Sequence, residues 1–240
     1  TVDRPAGVLQ DVLARFTSKA GGLTLDPASE KALIEVWQVQ QRLPWSCPTA
    51  KDKRPGHCHH AVVLGAGPIG LLGAMAFTNA GFSTFVYSRE SDASDKADLV
   101  RSFGATYVAA GDTPAGDLVS RIGTIDVVYE ATGASALSFE VLTQIGPNAA
   151  FVFTGVPGLR PKAEVDTDLI MRNMVLKNQV LLGTVNAGRD AFEAAVRDLV
   201  EFDAKWPESV RRLITGRYHA TDFKTPLLST DGIKNLLTFG

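Results

Sequence analysis

The sequence predicts an α/β fold: a doubly wound parallel sheet over residues 61–240, preceded by a helical extension and linker over residues 1–60. Two observations predict it. From Ala61 onward, Val- and aromatic-rich runs alternate with helical patterns, and the first of those runs ends in Gly65-Ala66-Gly67-Pro68-Ile69-Gly70. Alternation of strand and helix implies right-handed crossovers and therefore an open parallel sheet. The strands show no polar alternation, as expected when helices cover both faces.

Within residues 1–60, the stretch around DVLARF carries a weak helical signal. Asp26-Pro27 opens a clearer helix, with Asp26 as cap and Pro27 in the first turn, where a missing N–H costs nothing. Leu33, Val36 and Trp37 recur at helical spacing and Pro44 ends the pattern. Residues 46–60, SCPTAKDKRPGHCHH, read as a connecting loop. The expected strands are then 61–65, 83–88, 106–110, 126–131, 150–155 and 180–185. Helical patterns separate several of them: PIGLLGAMAFTNA, SDKADLVRSFG and ALSFEVLTQI. Residues 188–205 form an amphipathic helix with Phe192, Ala195, Val196 and Leu199 on one face. The closing run IKNLLTFG reads as an edge strand.

Composition narrows the function classes. The 240 residues hold 24 Lys+Arg against 26 Asp+Glu, a formal charge of −2. That balance excludes a nucleic-acid partner held mainly by bulk positive charge. Cys47 and Cys58 are the only cysteines, too few for a disulfide framework, so a reducing, cytoplasmic setting is expected. The opening TVDRPAG shows no basic-then-apolar leader, in keeping with that expectation. Ala61–Phe77 is uncharged, yet its four glycines and Pro68 divide it into a short strand, a turn and a small-residue helix, so no membrane partner is expected.

The glycine hexapeptide carries the most chemistry. Gly65 permits a tight turn out of the strand, Gly67 offers no side chain to block a pyrophosphate, and Gly70 lets the helix lie close on the sheet. The N–H groups at the helix start, with Pro68 and Ile69 in its first turn, then face a phosphate charge. Such a motif alone is weak among 22 glycines; between a Val-rich strand and a helix it is the dinucleotide-binding context. The second strand selects the dinucleotide. Ser88 stands at its tip and Arg89 follows, a hydroxyl beside a guanidinium, which suits a 2′-phosphate and favours NADP over NAD. Glu90 would hold the ribose 2′-OH of NAD if the strand ran two residues longer, and Arg89 as a solvated surface charge is the other reading.

Ligands of open parallel sheets bind outside the carboxyl ends of the strands. That nominates Thr132 and Gly133, then Thr154, Gly155 and Val156, then Thr184, Val185 and Asn186. A metal centre in the loop, built from Cys47, His57, Cys58, His59 and His60, is not expected: adjacent residues seldom converge tetrahedrally, and the cluster lies at the end of the strand opposite the crevice. His219 reads as a surface or satisfied polar residue.

VVLGAGPIGLLGAMAF, YSRE, VVYEATGAS, FVFTGVPG and RNMVLKNQVLLGTVNAGRDAFEAAVRDL together resemble the cofactor half of medium-chain dehydrogenases, closest to the zinc-dependent glucose 1-dehydrogenase branch. The resemblance runs from about Leu23 to the C-terminus and includes EKALIEVWQVQQRLPW. It implies a Rossmann fold, NAD(P)-dependent hydride transfer from an aldose or related alcohol, and a trough lined by Gly67–Gly70, Ser88, Arg89, Thr154–Val156 and Thr184–Asn186. It also implies pairing of copies along the edge of the sheet, with VLLGTV as the candidate strand. In that family, zinc ligands come from a β-rich domain ahead of the Rossmann fold. No Gly-His-Glu motif occurs in these residues, and Asp26-Pro27, which resembles a family Glu-Pro pair, stands two residues closer to EKAL, so Asp26 as a helix cap is the favoured reading. No catalytic residue is therefore assigned. Two alternatives stay open: a non-catalytic NADP(H)-binding module, and a medium-chain dehydrogenase acting on a non-sugar alcohol.

Overall fold

The computed structural model describes residues 59–158, 162–229 and 232–239. The Asp26-Pro27 helix, the rest of the expected extension, and Cys47, His57 and Cys58 lie outside them.

Six parallel strands form the main sheet: β1 (His60–Leu64), β2 (Ser83–Ser88), β3 (Thr106–Ala109), β4 (Val127–Glu130), β5 (Ala150–Phe153) and β6 (Val180–Gly183). Their order is β3-β2-β1-β4-β5-β6, the doubly wound Rossmann arrangement, with the switch point between β1 and β4. The connecting helices are α1 (Pro68–Asn79), α2 (Asp95–Ser102), α3 (Leu118–Ile122), α4 (Ser135–Leu142) and α5 (Thr167–Leu176). The expected fold class holds.

Successive residues of a strand point to opposite faces, so β1 feeds two cores. Val63 packs with Leu71, Met75, Val86, Val100 and Phe103 under α1 and α2. Val62 and Leu64 pack with Leu118, Val128, Val141, Ile145 and Phe151 under α3 and α4. Burial on both faces is why these strands read as unbroken apolar runs. Ala61–Phe77 resolves into β1, a turn and α1, and among the described residues no helix is long and apolar enough to cross a membrane.

Several strand ends differ from the sequence reading. β4, β5 and β6 stop at Glu130, Phe153 and Gly183, short of the expected 131, 155 and 185. The residues beyond them turn away to make the tips of the site. IKNLLTFG does not extend the main sheet. It supplies β8 (Lys234–Thr238), which pairs in parallel with β7 (Ile214–His219) in a separate two-stranded sheet. His219 is exposed there, its Nδ1 against the Thr221 hydroxyl at 2.8 Å.

The amphipathic helix appears as α6 (Arg189–Lys205), followed by α7 (Pro207–Leu213). Its apolar stripe, however, stays in solvent: Phe192 is 66% and Val196 61% exposed, and only Phe202 is buried. Phe202 and Trp206 join the core against Phe103, so the C-terminal turn alone anchors the helix.

Candidate functional site

The nominated residues all lie at the carboxyl ends of the parallel strands. Gly65 leaves β1 with φ +103°, and its N–H donates to the Tyr87 carbonyl at 2.8 Å, tying the turn to β2. A Cβ on Gly70 would drive into the Gly65 carbonyl oxygen, so only glycine lets α1 approach β1 this closely. Gly67 is different. It is the N-cap of α1, extended at φ −84°, with nothing within 4 Å of where a Cβ would be. Its residue type therefore reflects no constraint from the protein itself. Pro68 follows at the first helical position, and the Ile69 and Gly70 N–H groups have no intrahelical acceptor. This is an open, positively polarised cradle for an anion.

The β4 and β5 tips are clamped by a residue the sequence reading passed over. Glu130, the last residue of β4, is 1% exposed. Its Oε1 accepts from the Thr132 N–H (2.6 Å), the Thr132 hydroxyl (2.6 Å) and the Gly133 N–H (2.8 Å). Its Oε2 accepts from the Gly155 N–H at 3.1 Å, a donor shared with the Glu130 carbonyl. Thr154 donates its hydroxyl to that same carbonyl at 2.6 Å. Gly133, at φ +63°, lies so close to Val156 that a Cβ would come 2.6 Å from the Val156 oxygen. The signal was present in DVVYEATG: an acid inside an apolar strand, just before a Thr-Gly tip, has N–H donors to collect.

The nominated hydroxyls are thus spent on the protein. Thr132 and Thr154 serve Glu130, and Ser88 donates to the Glu90 Oε2. The remaining tip, Thr184 to Asn186, is exposed, joined to β5 by the Thr184 N–H to the Phe153 carbonyl at 3.0 Å. Arg89 is exposed and makes no hydrogen bond or ion pair with any described residue. β2 ends at Ser88, as the sequence reading placed it.

Glu90 sits in a tight charged network. Lys96 at the start of α2 donates to its Oε1 at 2.6 Å, and Tyr107 donates to its carbonyl at 2.9 Å. Burial pushes its carboxyl group up, but hydrogen bonds from Lys96 and Ser88 and the Lys96 charge outweigh it, holding the pKa down to about 2. Beside these tips, Glu130, Gly133, Ser135, Phe139, Phe153 and Pro157 line a cleft of about 240 Å³.

A sequence model of the family described as glucose dehydrogenase C-terminus matches residues 24–239. The chain belongs to that family. A glucose 1-dehydrogenase of Metallosphaera sedula is 34% identical over 199 residues, which are 82% of this chain and 52% of that protein. Glucose 1-dehydrogenase 1 of Caldivirga maquilingensis is 36% identical over 180 residues, 74% of this chain and 49% of the relative. The Haloferax mediterranei glucose dehydrogenase, solved in complex with NADP, Zn and gluconolactone, superposes with a TM-score of 0.69 at 28% identity, covering 88% of this chain and 56% of that one. The chain spans about half the length of the curated relatives it matches.

For this member of the glucose dehydrogenase family, the dinucleotide and the metal named in that complex fare differently. A dinucleotide fits: Gly67 leaves room for a diphosphate at free N–H groups. Zinc does not fit the described residues, among which no three His, Cys, Asp or Glu side chains converge. His59 and His60 sit at the opposite end of β1, against Asp126 and Thr124. No step is assigned to a metal here.

Proposed function

We propose that this chain is the cofactor-binding half of an NADP-preferring sugar dehydrogenase of the glucose 1-dehydrogenase type. The observation that carries the proposal is Gly67, with nothing within 4 Å of where a Cβ would stand, at the start of α1 in a strand–turn–helix that needs glycine at Gly70. Gly65, Gly67, Pro68, Ile69 and Gly70 would hold the diphosphate and Arg89 the adenosine ribose, with Ser88, its hydroxyl given to Glu90, lining the tip beside them. Thr132, Gly133, Thr154, Gly155, Val156, Thr184, Val185 and Asn186 would line the way to the nicotinamide. When bound, the nicotinamide supplies the hydride acceptor. The chain's own contribution is to hold that ring still and shield one side of it from water. An aldose oxidised at C1 is the proposed substrate, in keeping with relatives named glucose 1-dehydrogenase.

The domain division follows from the same reading, with residues 1–60 as an extension and residues 61–240 as the dinucleotide domain. A cytoplasmic, reducing setting is supported by the presence of only two cysteines. Pairing of two copies is supported by β6, which forms the edge of the main sheet and exposes Val180 and Leu182. Light scattering should then give twice the 25.6 kDa chain mass, and a monomer at micromolar concentration would rule the pairing out.

Fluorescence titration with NADPH and NADH tests the central reading. NADPH is expected to bind more tightly, and no binding of either defeats the proposal. Arg89→Ala is expected to weaken NADPH by about ten- to a hundredfold, the worth of a charge-assisted contact to a phosphate. NADH should change little, because it lacks the 2′-phosphate. Equal losses for the two would remove Arg89 from that role.

A further inference from the structure

The tip of β2 carries an apparent contradiction. A 2′-phosphate site should repel acids, yet Glu90 stands two residues past the strand end, its carboxylate drawn onto the tip by the Ser88 hydroxyl. In dinucleotide folds an acid in this region accepts from the ribose 2′-OH of NAD and excludes NADP by repulsion. Here both carboxylate oxygens are occupied. Oε2 takes the Ser88 hydroxyl and Oε1 takes the Lys96 ammonium at 2.6 Å. The backbone of Glu90 is pinned as well, by the Tyr107 hydroxyl. The other nearby acid, Asp92, is paired with Arg101 at 2.5 Å.

Lys96 is out of place for a helix residue. It stands in the first turn of α2, whose N-terminal dipole end and Ser94 cap favour anions, and Asp95 and Asp98 obey that rule on either side of it. A cation there breaks a local preference, and such breaks concentrate at functional sites. It does not serve the core, since it is only partly buried against a partly buried partner.

We propose that Lys96 is a specificity-determining residue, which neutralises the Glu90 carboxylate and so lets the β2 tip accept the 2′-phosphate of NADP beside Arg89. This rests on the dinucleotide reading of the site. Arg89, with no partner among the described residues, is the attracting element; the Lys96–Glu90 pair removes the repelling one. Discrimination between two ligands needs both.

The test is a cycle of variants of the full chain, titrated with NADPH and NADH. Lys96→Met frees the Glu90 charge a few ångströms from the phosphate, and NADPH affinity should fall by about tenfold or more while NADH holds or tightens. Glu90→Gln combined with Lys96→Met should restore NADPH to within about threefold of wild type, because the repelling charge has gone. Melting curves within a few degrees of wild type keep the comparison on the ligand. If Lys96→Met leaves the NADPH to NADH ratio unchanged, or the double variant fails to restore NADPH, Lys96 does not act by masking Glu90. Failure of the wild-type chain to bind either cofactor would instead overturn the dinucleotide reading, and this inference with it.

Discussion

Gly67→Asp is expected to abolish dinucleotide binding while leaving the melting temperature at or slightly above that of the wild type. The two halves of that expectation have one cause. Gly67 is the N-cap of α1, extended at φ −84° and ψ 179°, a conformation open to any residue, with empty space where a side chain would go. Aspartate is among the best N-cap residues, and its carboxylate would accept from the free N–H groups of the first turn, a gain of a few tenths of a kcal/mol over glycine. Those same N–H groups are the ones a diphosphate needs. The substitution therefore fills the cradle with a tethered anion that also repels the incoming phosphates. Thermal melting and NADPH titration on one preparation separate the outcomes. A variant that melts like the wild type and still binds NADPH would show that the glycine turn holds no ligand. Gly70→Ala would not make this distinction, because a Cβ there meets the Gly65 carbonyl and damages the fold itself.

Much of this architecture was legible in the sequence because the physics that makes it is local. Helices cover β1, β2 and β4 on both faces, so Val62, Val63 and Leu64 are all buried, and a run of consecutive apolar residues marks such a strand plainly. The glycine turn was legible for the same reason: steric demand at Gly65 and Gly70 leaves no other residue type. The strand ends were less so. Thr132 and Thr154 suit a strand as well as a turn, and what bends the chain there is the carboxylate of Glu130 collecting N–H groups from two separate tips, an event 25 residues long in sequence. The hydroxyls of Ser88, Thr132 and Thr154 looked like ligand donors, but a polar side chain at a tip can equally satisfy its own backbone. Periodicity along α6 correctly found an apolar stripe, yet no periodicity says what covers it; Phe192 and Val196 remain exposed.

Replacing Glu130 is expected to give the largest stability loss at the site. Glu130→Ala leaves the buried Gly133 N–H and the Thr132 N–H without their acceptor, each at a cost of about 1–3 kcal/mol, and empties space beneath two loops. A total of about 2–6 kcal/mol would lower the melting temperature by about 4–24 °C in a chain of this size. Glu130→Gln should be milder, about 1–2 kcal/mol. Its single amide oxygen can keep the three donors at the Oε1 position, but its NH₂ then faces the Gly155 N–H, donor against donor, and the Glu130 carbonyl remains as the other acceptor for that N–H. The link cut is the one between the β4 and β5 tips. Hydrogen exchange at the Gly155 amide should therefore quicken in Glu130→Gln while amides of β1 stay protected. NADPH affinity should drop at temperatures where the variant is still folded, since Gly133 and Val156 would no longer be held in contact across the trough. Were Glu130→Gln to melt with the wild type and protect Gly155 equally, the clamp would be an incidental contact, and the order of the tips would have to come from packing of Phe153 and Phe139 alone.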